Sequence, residues 1–286
     1  MVPEFGFSHS SWFPSYPHHP HLFYGQWRFR NGDDRLSKPL IGDSGRIYAC
    51  SEATLFAFEN NGSIAWLLPL TFKCNMANAP VHGGRGKIYL IAENRVLQIN
   101  IMKIGTSEPT INVLFDPGQG ERGDEIIGIA VSTLYSSVII NVKNRGLFAY
   151  SMRGQLLWST GPVLDQYGYR QGCWKIVSDC FFASAPVTVQ CEASIYILNT
   201  EGELYSMWFR SPQLTWIQDS FDKVYTITPG NNGLLYVTVP EKSLDLGLNV
   251  SSGNVLWQTS TGPLSSAESS PVVDSYGQVL LLYLQI

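Results

Sequence analysis

Short apolar segments, each opened by a small residue, recur along this chain at intervals of about 40 to 57 residues. Six segments share a small residue, one further residue and then two apolar residues. They are Gly45-Arg-Ile47-Tyr48, Gly86-Lys-Ile88-Tyr89, Ser137-Val-Ile139-Ile140, Ala193-Ser-Ile195-Tyr196, Gly233-Leu-Leu235-Tyr236 and Gly277-Gln-Val279-Leu280. A repeat of this length built from short strands is typical of a β-propeller, in which each repeat forms one blade.

Each repeat contains signals for four strands. A second apolar segment begins nine residues after the first in four repeats, from Ile47 to Phe56, Ile88 to Leu97, Ile139 to Phe148 and Ile195 to Leu204. A short strand precedes each unit, and glycine turns such as Asn61-Gly62 precede the last strand, because a tight hairpin requires a residue that tolerates positive φ. The pattern predicts blades of four antiparallel strands.

A large aromatic residue marks the end of each full unit. Since one blade alone would leave both faces of its sheet in water, these side chains are interpreted as packing between neighbouring blades rather than as a ligand platform. They are Trp66, Phe115, Trp158, Trp216 and Trp257.

The chain therefore predicts an all-β fold, a β-propeller of five full blades plus an incomplete sixth over residues 270–286. No stretch has a sustained helical period, and 16 Pro with 26 Gly would interrupt long helices. We expect residues 24–286 to form the propeller and residues 1–23 to be a disordered leader rich in Pro, His and aromatic residues. The leader contains His9, His18, His19 and His21, but its prolines and the lack of an acidic or Cys ligand next to these histidines disfavour a metal site.

Composition and net charge argue against some classes of function. Apolar residues make up 44% of the chain and charged residues 15%, as in a well-packed globular protein. The net charge of −4 argues against a nucleic-acid partner, which requires a dense basic face. No run of eighteen apolar residues or secretion signal is evident, so we expect no transmembrane segment in this chain.

Five cysteines, at positions 50, 74, 173, 180 and 191, lack the paired spacing of a zinc site. Cys50 and Cys74 form one cluster and Cys173, Cys180 and Cys191 another, so disulfides are expected within the clusters and one Cys must stay unpaired. Two sequons, Asn61-Gly-Ser63 and Asn249-Val-Ser251, are possible glycosylation sites. Together these features favour an extracytoplasmic protein.

The Gly-x-Ile-Tyr starts, the Leu-Phe-Ala strands ending at Phe58 and Tyr150, and the Gly-x-x-x-Trp endings resemble the pyrroloquinoline-quinone-type propeller repeat over about residues 25 to 286. Segments such as 36–50 and 79–89 look like the plant gamete-expressed protein three family. That resemblance implies a plasma-membrane or extracellular protein with a role in gametophytes, pollen-tube guidance and early embryo development. The absence of a signal and anchor then suggests a truncated or alternatively spliced product, and a poorly folded fragment is a further possibility.

Catalytic chemistry finds little support. The alternative function is a quinone- and calcium-dependent dehydrogenase, which needs a cation held by carboxylates and an Asp as general base. The acidic loop with Asp116, Glu121, Asp124 and Glu125 has neither that spacing nor an adjacent-Cys pair, and is interpreted as solvated. His82 is interpreted as a turn residue. We expect no cofactor, no metal and no enzyme activity, and instead an interaction module that meets an unknown protein or glycan partner through its loops.

Overall fold

The computed structural model describes residues 36–42, 45–101, 109–118, 124–161, 181–189, 193–218, 226–230, 232–239, 242–260, 272–273 and 279–280. The predicted leader 1–23 and Cys173, Cys180, Cys191 and Glu121 lie outside these residues. None of the described residues belongs to a helix of membrane-spanning length and hydropathy.

The described residues form 22 strands and no α-helix. Five sheets have four antiparallel strands each, connected in sequence order. Two further strands form a sixth sheet. The strands are, for blade 1, β1 (Leu40–Ile41), β2 (Ile47–Ser51), β3 (Thr54–Phe58) and β4 (Ile64–Pro69); for blade 2, β5 (Val81–His82), β6 (Lys87–Ala92), β7 (Arg95–Asn100) and β8 (Thr110–Phe115); for blade 3, β9 (Ile126–Ser132), β10 (Ser137–Val142), β11 (Gly146–Ser151) and β12 (Leu156–Ser159); for blade 4, β13 (Val187–Thr188), β14 (Ser194–Leu198), β15 (Leu204–Trp208) and β16 (Leu214–Gln218); for blade 5, β17 (Thr226–Pro229), β18 (Leu234–Val239), β19 (Leu244–Asn249) and β20 (Val255–Ser260); and for the sixth sheet, β21 (Val272–Val273) and β22 (Val279–Leu280).

The chain divides into two compact units, Met1–Asp116 and Pro117–Ile286. In the first unit, one apolar cluster includes Leu55 from blade 1 and Leu97 from blade 2, so the two sheets share a core. This shared core shields one face of each of the two sheets, which an isolated antiparallel sheet would leave in water.

The second unit has two such shared cores. One joins blades 3 and 4 and contains Ile139 and Tyr205. The other joins blades 4 and 5 and contains Leu204 and Leu248. Blade 4 therefore buries both of its faces, since Tyr205 and Leu204 alternate along β15 and point in opposite directions.

The third repeat is displaced by one residue from the alignment that the sequence suggests. In blade 1 the residue opposite Ala57 is Tyr48, and in blade 3 the residue opposite the equivalent Ala149 is Ile139. Ile139, not Ile140, therefore occupies the tyrosine position. This difference places the side chains of Ile139 and Ile140 on the opposite faces from those the sequence suggests, because a shift of one residue moves a side chain to the other face of the sheet.

Candidate functional site

A tyrosine on the second strand contacts the tryptophan on the fourth strand in three blades. The ring centroids lie 5.8 Å apart in the pair Tyr48 and Trp66, 5.7 Å in Tyr196 and Trp216, and 5.9 Å in Tyr236 and Trp257. All three ring pairs are tilted, an arrangement that aromatic quadrupoles favour over a face-to-face stack. These aromatic pairs are thus a repeated feature of the blades.

The third strand lies between the strand that carries the tyrosine and the strand that carries the tryptophan. Its residue opposite the tryptophan leaves space for the indole. The residue opposite the tryptophan is always small, and is Ala57, Ala149, Ser206 or Gly247. At Gly247 even a Cβ atom would overlap the Trp257 indole. The sequence signal for this site was therefore a small residue nine or ten positions before each tryptophan.

Blade 2 has no tryptophan at this position of its fourth strand. Asn112 takes the tryptophan position, and the residue opposite it is Gln98. The amide Nε2 of Gln98 donates a 2.8 Å hydrogen bond to the hydroxyl of Tyr89. Phe115, which the sequence suggested as the equivalent aromatic, is buried but pairs with Val96 at a different position of the strand.

Two tryptophans connect consecutive blades by a hydrogen bond. Trp158 Nε1 donates to the carbonyl of Phe209, and Trp216 Nε1 donates to the carbonyl of Val250, both at 3.0 Å. Phe209 and Val250 each follow the third strand of the next blade, so the two contacts are equivalent. We call this contact the tryptophan clasp.

The clasp to Val250 has a second donor. The Tyr196 hydroxyl donates to the same carbonyl at 3.0 Å, and Val250 is only 2% exposed. A buried carbonyl is costly to leave unpaired, so the two donors stabilise the junction between blades 4 and 5.

The two remaining tryptophans differ in their surroundings. Trp66 is partly buried against the core shared by blades 1 and 2. Trp257 contacts Tyr236 of its own blade and is 36% exposed.

A buried carboxylate lies in the middle of blade 5. Asp245 is 4% exposed, and among the described residues neither of its oxygens has a hydrogen-bond partner of good geometry. Thr226 and Thr238 precede it in the same row across the sheet. In the four other blades the equivalent residue is apolar and fully buried, namely Leu55, Val96, Leu147 or Leu204.

Burial raises the pKa of Asp245, and the neighbouring Thr238 hydroxyl offsets only part of that rise. The folded protein therefore retains this proton to a higher pH than the unfolded chain does. Stability contributed by the neutral carboxyl is fully present below the ordinary carboxyl pKa of about 3.9 and is lost as the pH rises through the raised value.

We expect Asp245→Asn to stabilise the protein at neutral pH by about 1–3 kcal/mol, because it removes a buried carboxyl that must ionise with no cationic partner among the described residues. The difference from the parent chain should vanish near pH 3, where both side chains are neutral. Urea unfolding at about pH 3 and about pH 7 measures the effect. Glu125→Gln, at an exposed carboxylate, is the matched control and should change little. A parent chain that gains stability between those two pH values relative to Asp245→Asn would contradict the assignment.

A disulfide bond connects Cys50 on β2 to Cys74, with the Cα atoms 6.2 Å apart. Cys74 forms an isolated bridge with Ala92 of blade 2, and its amide donates to the Glu52 carbonyl of blade 1. The disulfide thus fastens the connection between these two blades.

Two carboxylates of the acidic loop, Asp116 and Asp124, form ion pairs. Arg95 Nε lies 2.8 Å from a carboxylate oxygen of Asp116, and Arg145 lies 3.8 Å from Asp124. A carboxylate that is engaged by an arginine is less available to a cation. Among the described residues no group of three or more His, Cys, Asp and Glu side chains is placed to hold a metal ion.

His82 ends β5, and its Nδ1 accepts a 3.2 Å hydrogen bond from the amide of Gly84. The side chain therefore supports the turn between β5 and β6. This contact matches the turn residue that the sequence suggested.

An exposed cluster of aromatic, aliphatic and cationic side chains lies where blades 3 and 4 meet. Leu134 is 63% exposed. The Tyr135 ring stacks on Phe209 with centroids 5.2 Å apart, and the Arg210 guanidinium lies 5.3 Å from the Tyr135 centroid. We call Leu134, Tyr135 and Arg210 the aromatic patch.

The patch was not apparent in the sequence, because its members come from two turns more than seventy residues apart. The turn between β9 and β10 supplies Leu134 and Tyr135, and the segment between β15 and β16 supplies Arg210. Exposed apolar clusters of this kind mark interaction surfaces.

The chain was compared with protein-family models, curated proteins and solved structures. No protein-family model matches the chain. Over 244 residues, or 84% of its length, the chain is 51% identical to Protein GAMETE EXPRESSED 3 of Arabidopsis thaliana. The two proteins are homologous over this stretch. The chain spans 37% of the length of GAMETE EXPRESSED 3, and the match supports the resemblance to the gamete-expressed protein three family.

Two solved structures are similar in fold. BamB from Moraxella catarrhalis aligns with a TM-score of 0.56 and 11% identity, covering 86% of this chain and 67% of BamB. The β-propeller domain of Cps50 (Swd1) from Myceliophteria thermophila aligns with a TM-score of 0.60 and 8% identity, covering 85% of this chain and 77% of that domain. At these identities the similarity concerns the fold alone, and it confirms the all-β propeller class predicted from the repeats.

Proposed function

We propose that this chain is a non-catalytic β-propeller module that binds a protein partner through the aromatic patch. Trp, Tyr and Arg are the residue types that carry most of the binding energy in protein interfaces. Two of the three patch residues are of these types, and the third is a highly exposed leucine. The patch is the single observation that carries the proposal.

The composition of the patch favours a protein partner over a glycan. A sugar stacks on an open aromatic face, whereas the Tyr135 ring is already engaged by Phe209 and Arg210. Leu134 offers an aliphatic contact that suits an apolar side chain of a partner. Arg210 further favours a partner with an acidic group beside that apolar side chain.

The proposed biological setting follows the homologue. The name GAMETE EXPRESSED 3 associates that protein with gametes, so we propose a role for this chain in plant reproductive cells. Pollen-tube guidance and early embryo development are the narrower roles in this proposal. The disulfide between Cys50 and Cys74 supports an extracellular or plasma-membrane location, because such bonds persist in oxidising compartments.

Affinity capture from plant reproductive tissue tests the proposal. The 286-residue chain serves as one bait, and the double variant Leu134→Ala/Arg210→Ala serves as a second. We expect at least one protein to be retained by the parent chain and reduced more than tenfold on the variant, because loss of two interface anchors costs over 1.4 kcal/mol. Quantitative mass spectrometry of the eluates measures the ratio.

Leu156→Ala/Leu157→Ala is the matched control, since it removes two exposed apolar side chains from β12 in the same unit. It should retain the partner. Thermal unfolding of all three chains must show equal stability, so that lost binding reflects the surface. Equal retention of every captured protein by both double variants would refute the role of the aromatic patch.

A further inference from the structure

The two sequons occupy different environments in the folded chain. Asn61-Gly62-Ser63 lies at the tip of the hairpin between β3 and β4, where Asn61 and Ser63 are exposed and Gly62 has a φ of 86°. Asn249 ends β19 and is half-buried, and the middle residue of its sequon, Val250, is 2% exposed. Only the first sequon has all its polar residues in water.

The side chains of the first sequon are arranged for modification. The Oδ1 atom of Asn61 accepts hydrogen bonds from the amide of Ser63 at 2.9 Å and from the Ser63 hydroxyl at 2.7 Å. Among the described residues its Nδ2 atom has no hydrogen-bond partner. The nitrogen that would carry a sugar is therefore free and faces solvent, while the serine hydroxyl holds the amide oxygen.

The second sequon is held in the junction between blades 4 and 5. The Val250 carbonyl accepts hydrogen bonds from Tyr196 and Trp216. The Oδ1 atom of Asn249 accepts from the amides of Ser251 and Ser252. A glycan on Asn249 would have to extend into solvent from a half-buried side chain beside this junction.

We propose that Asn61 is N-glycosylated and that Asn249 is not. In this reaction Nδ2 of Asn61 forms a bond to C1 of the first sugar of an oligosaccharide carried on a lipid pyrophosphate. The bond from C1 to the pyrophosphate oxygen breaks, the amide nitrogen releases one proton, and the lipid pyrophosphate leaves. The disulfide in the same unit is independent support, because both modifications occur in the secretory pathway.

The glycan would also restrict where partners bind. Arg46 connects the β1–β2 hairpin to Glu59 at the base of the glycosylated hairpin, with Nη2 at 2.8 Å from the carboxylate. Both hairpins therefore lie at one end of blade 1, and a glycan on Asn61 would cover that end. Partner contacts of blade 1 would then be limited to its opposite end.

Expression of the 286-residue chain behind an added secretion signal in plant or insect cells tests the proposal. We expect one N-linked glycan, seen as a mobility shift that a peptide N-glycosidase removes and as a modified Asn61 peptide by mass spectrometry. Asn61→Gln should abolish the shift completely, and Asn249→Gln should leave it unchanged.

Two further variants separate the acceptor motif from any effect on folding. Ser63→Ala keeps Asn61 but removes the hydroxyl, and should also abolish the shift; Ser251→Ala, the matched change in the other sequon, should not. A glycan that persists in Asn61→Gln, or an unglycosylated parent chain recovered from the medium, would overturn the proposal.

Discussion

Replacing Trp216 with alanine is expected to lower the free energy of unfolding by about 3 kcal/mol, the cost of removing a large aromatic side chain that is partly buried. The indole packs on Tyr196 and against the core of blades 4 and 5, and it closes over Gly253, where no Cβ could be accommodated. The substitution therefore leaves a cavity and removes the clasp to Val250. Urea unfolding of the parent and variant chains measures the difference.

Trp257→Ala is the matched control, because Trp257 has the same position in its blade and the same tyrosine contact but is 36% exposed. We expect it to cost no more than half as much as Trp216→Ala. Equal losses would mean that the ring contact alone, without the clasp, sets the contribution of these tryptophans.

The shared acceptor allows a stricter test of the clasp. Trp216→Phe and Tyr196→Phe each remove one donor and leave the Val250 carbonyl with the other, so each should cost about 1 kcal/mol. Together they leave a buried carbonyl unpaired, and the double variant should lose more than the sum of the single losses. Simple additivity would argue against a shared hydrogen bond.

Removal of the disulfide is expected to destabilise the protein by about 3 kcal/mol, the value that loop-closure entropy gives for a closed loop of this size. The two cysteines are 24 residues apart, and both are buried. Cys50→Ala/Cys74→Ala should lower the midpoint of thermal unfolding, and the parent chain treated with a reductant should approach the variant.

The response to reductant distinguishes loss of the bond from loss of side-chain packing. The parent chain should lose more stability on reduction than the double variant does, since the variant no longer has this bond to lose. Equal responses of the two chains would show that the disulfide contributes nothing to stability.

The repeat was sufficient to predict the fold, because blade sheets consist of local hairpins. Glycine turns and apolar segments determine which strands pair, and the five four-stranded sheets confirm that prediction. The register is harder to read, since a β-bulge or one extra turn residue shifts it. The displacement at Ile139 and the different role of Phe115 both have this origin.

The candidate site could be predicted only in part. The tryptophans were evident from their spacing, but their partners Phe209 and Val250 lie in the next blade, at a separation that no local pattern encodes. Asp245 was not identified from the sequence, although it is an acidic residue within an apolar strand. Its burial, and the convergence of the aromatic patch, depend on how whole blades pack.

The tryptophan clasp gives the second unit a polarity. Each contact joins two different surfaces, an indole donor on one blade and a main-chain acceptor on the next, as in a head-to-tail assembly of subunits. An inverted blade would place donor against donor or acceptor against acceptor. The direction in which the blades follow one another is thus specified by the contacts between blades as well as by the continuity of the chain.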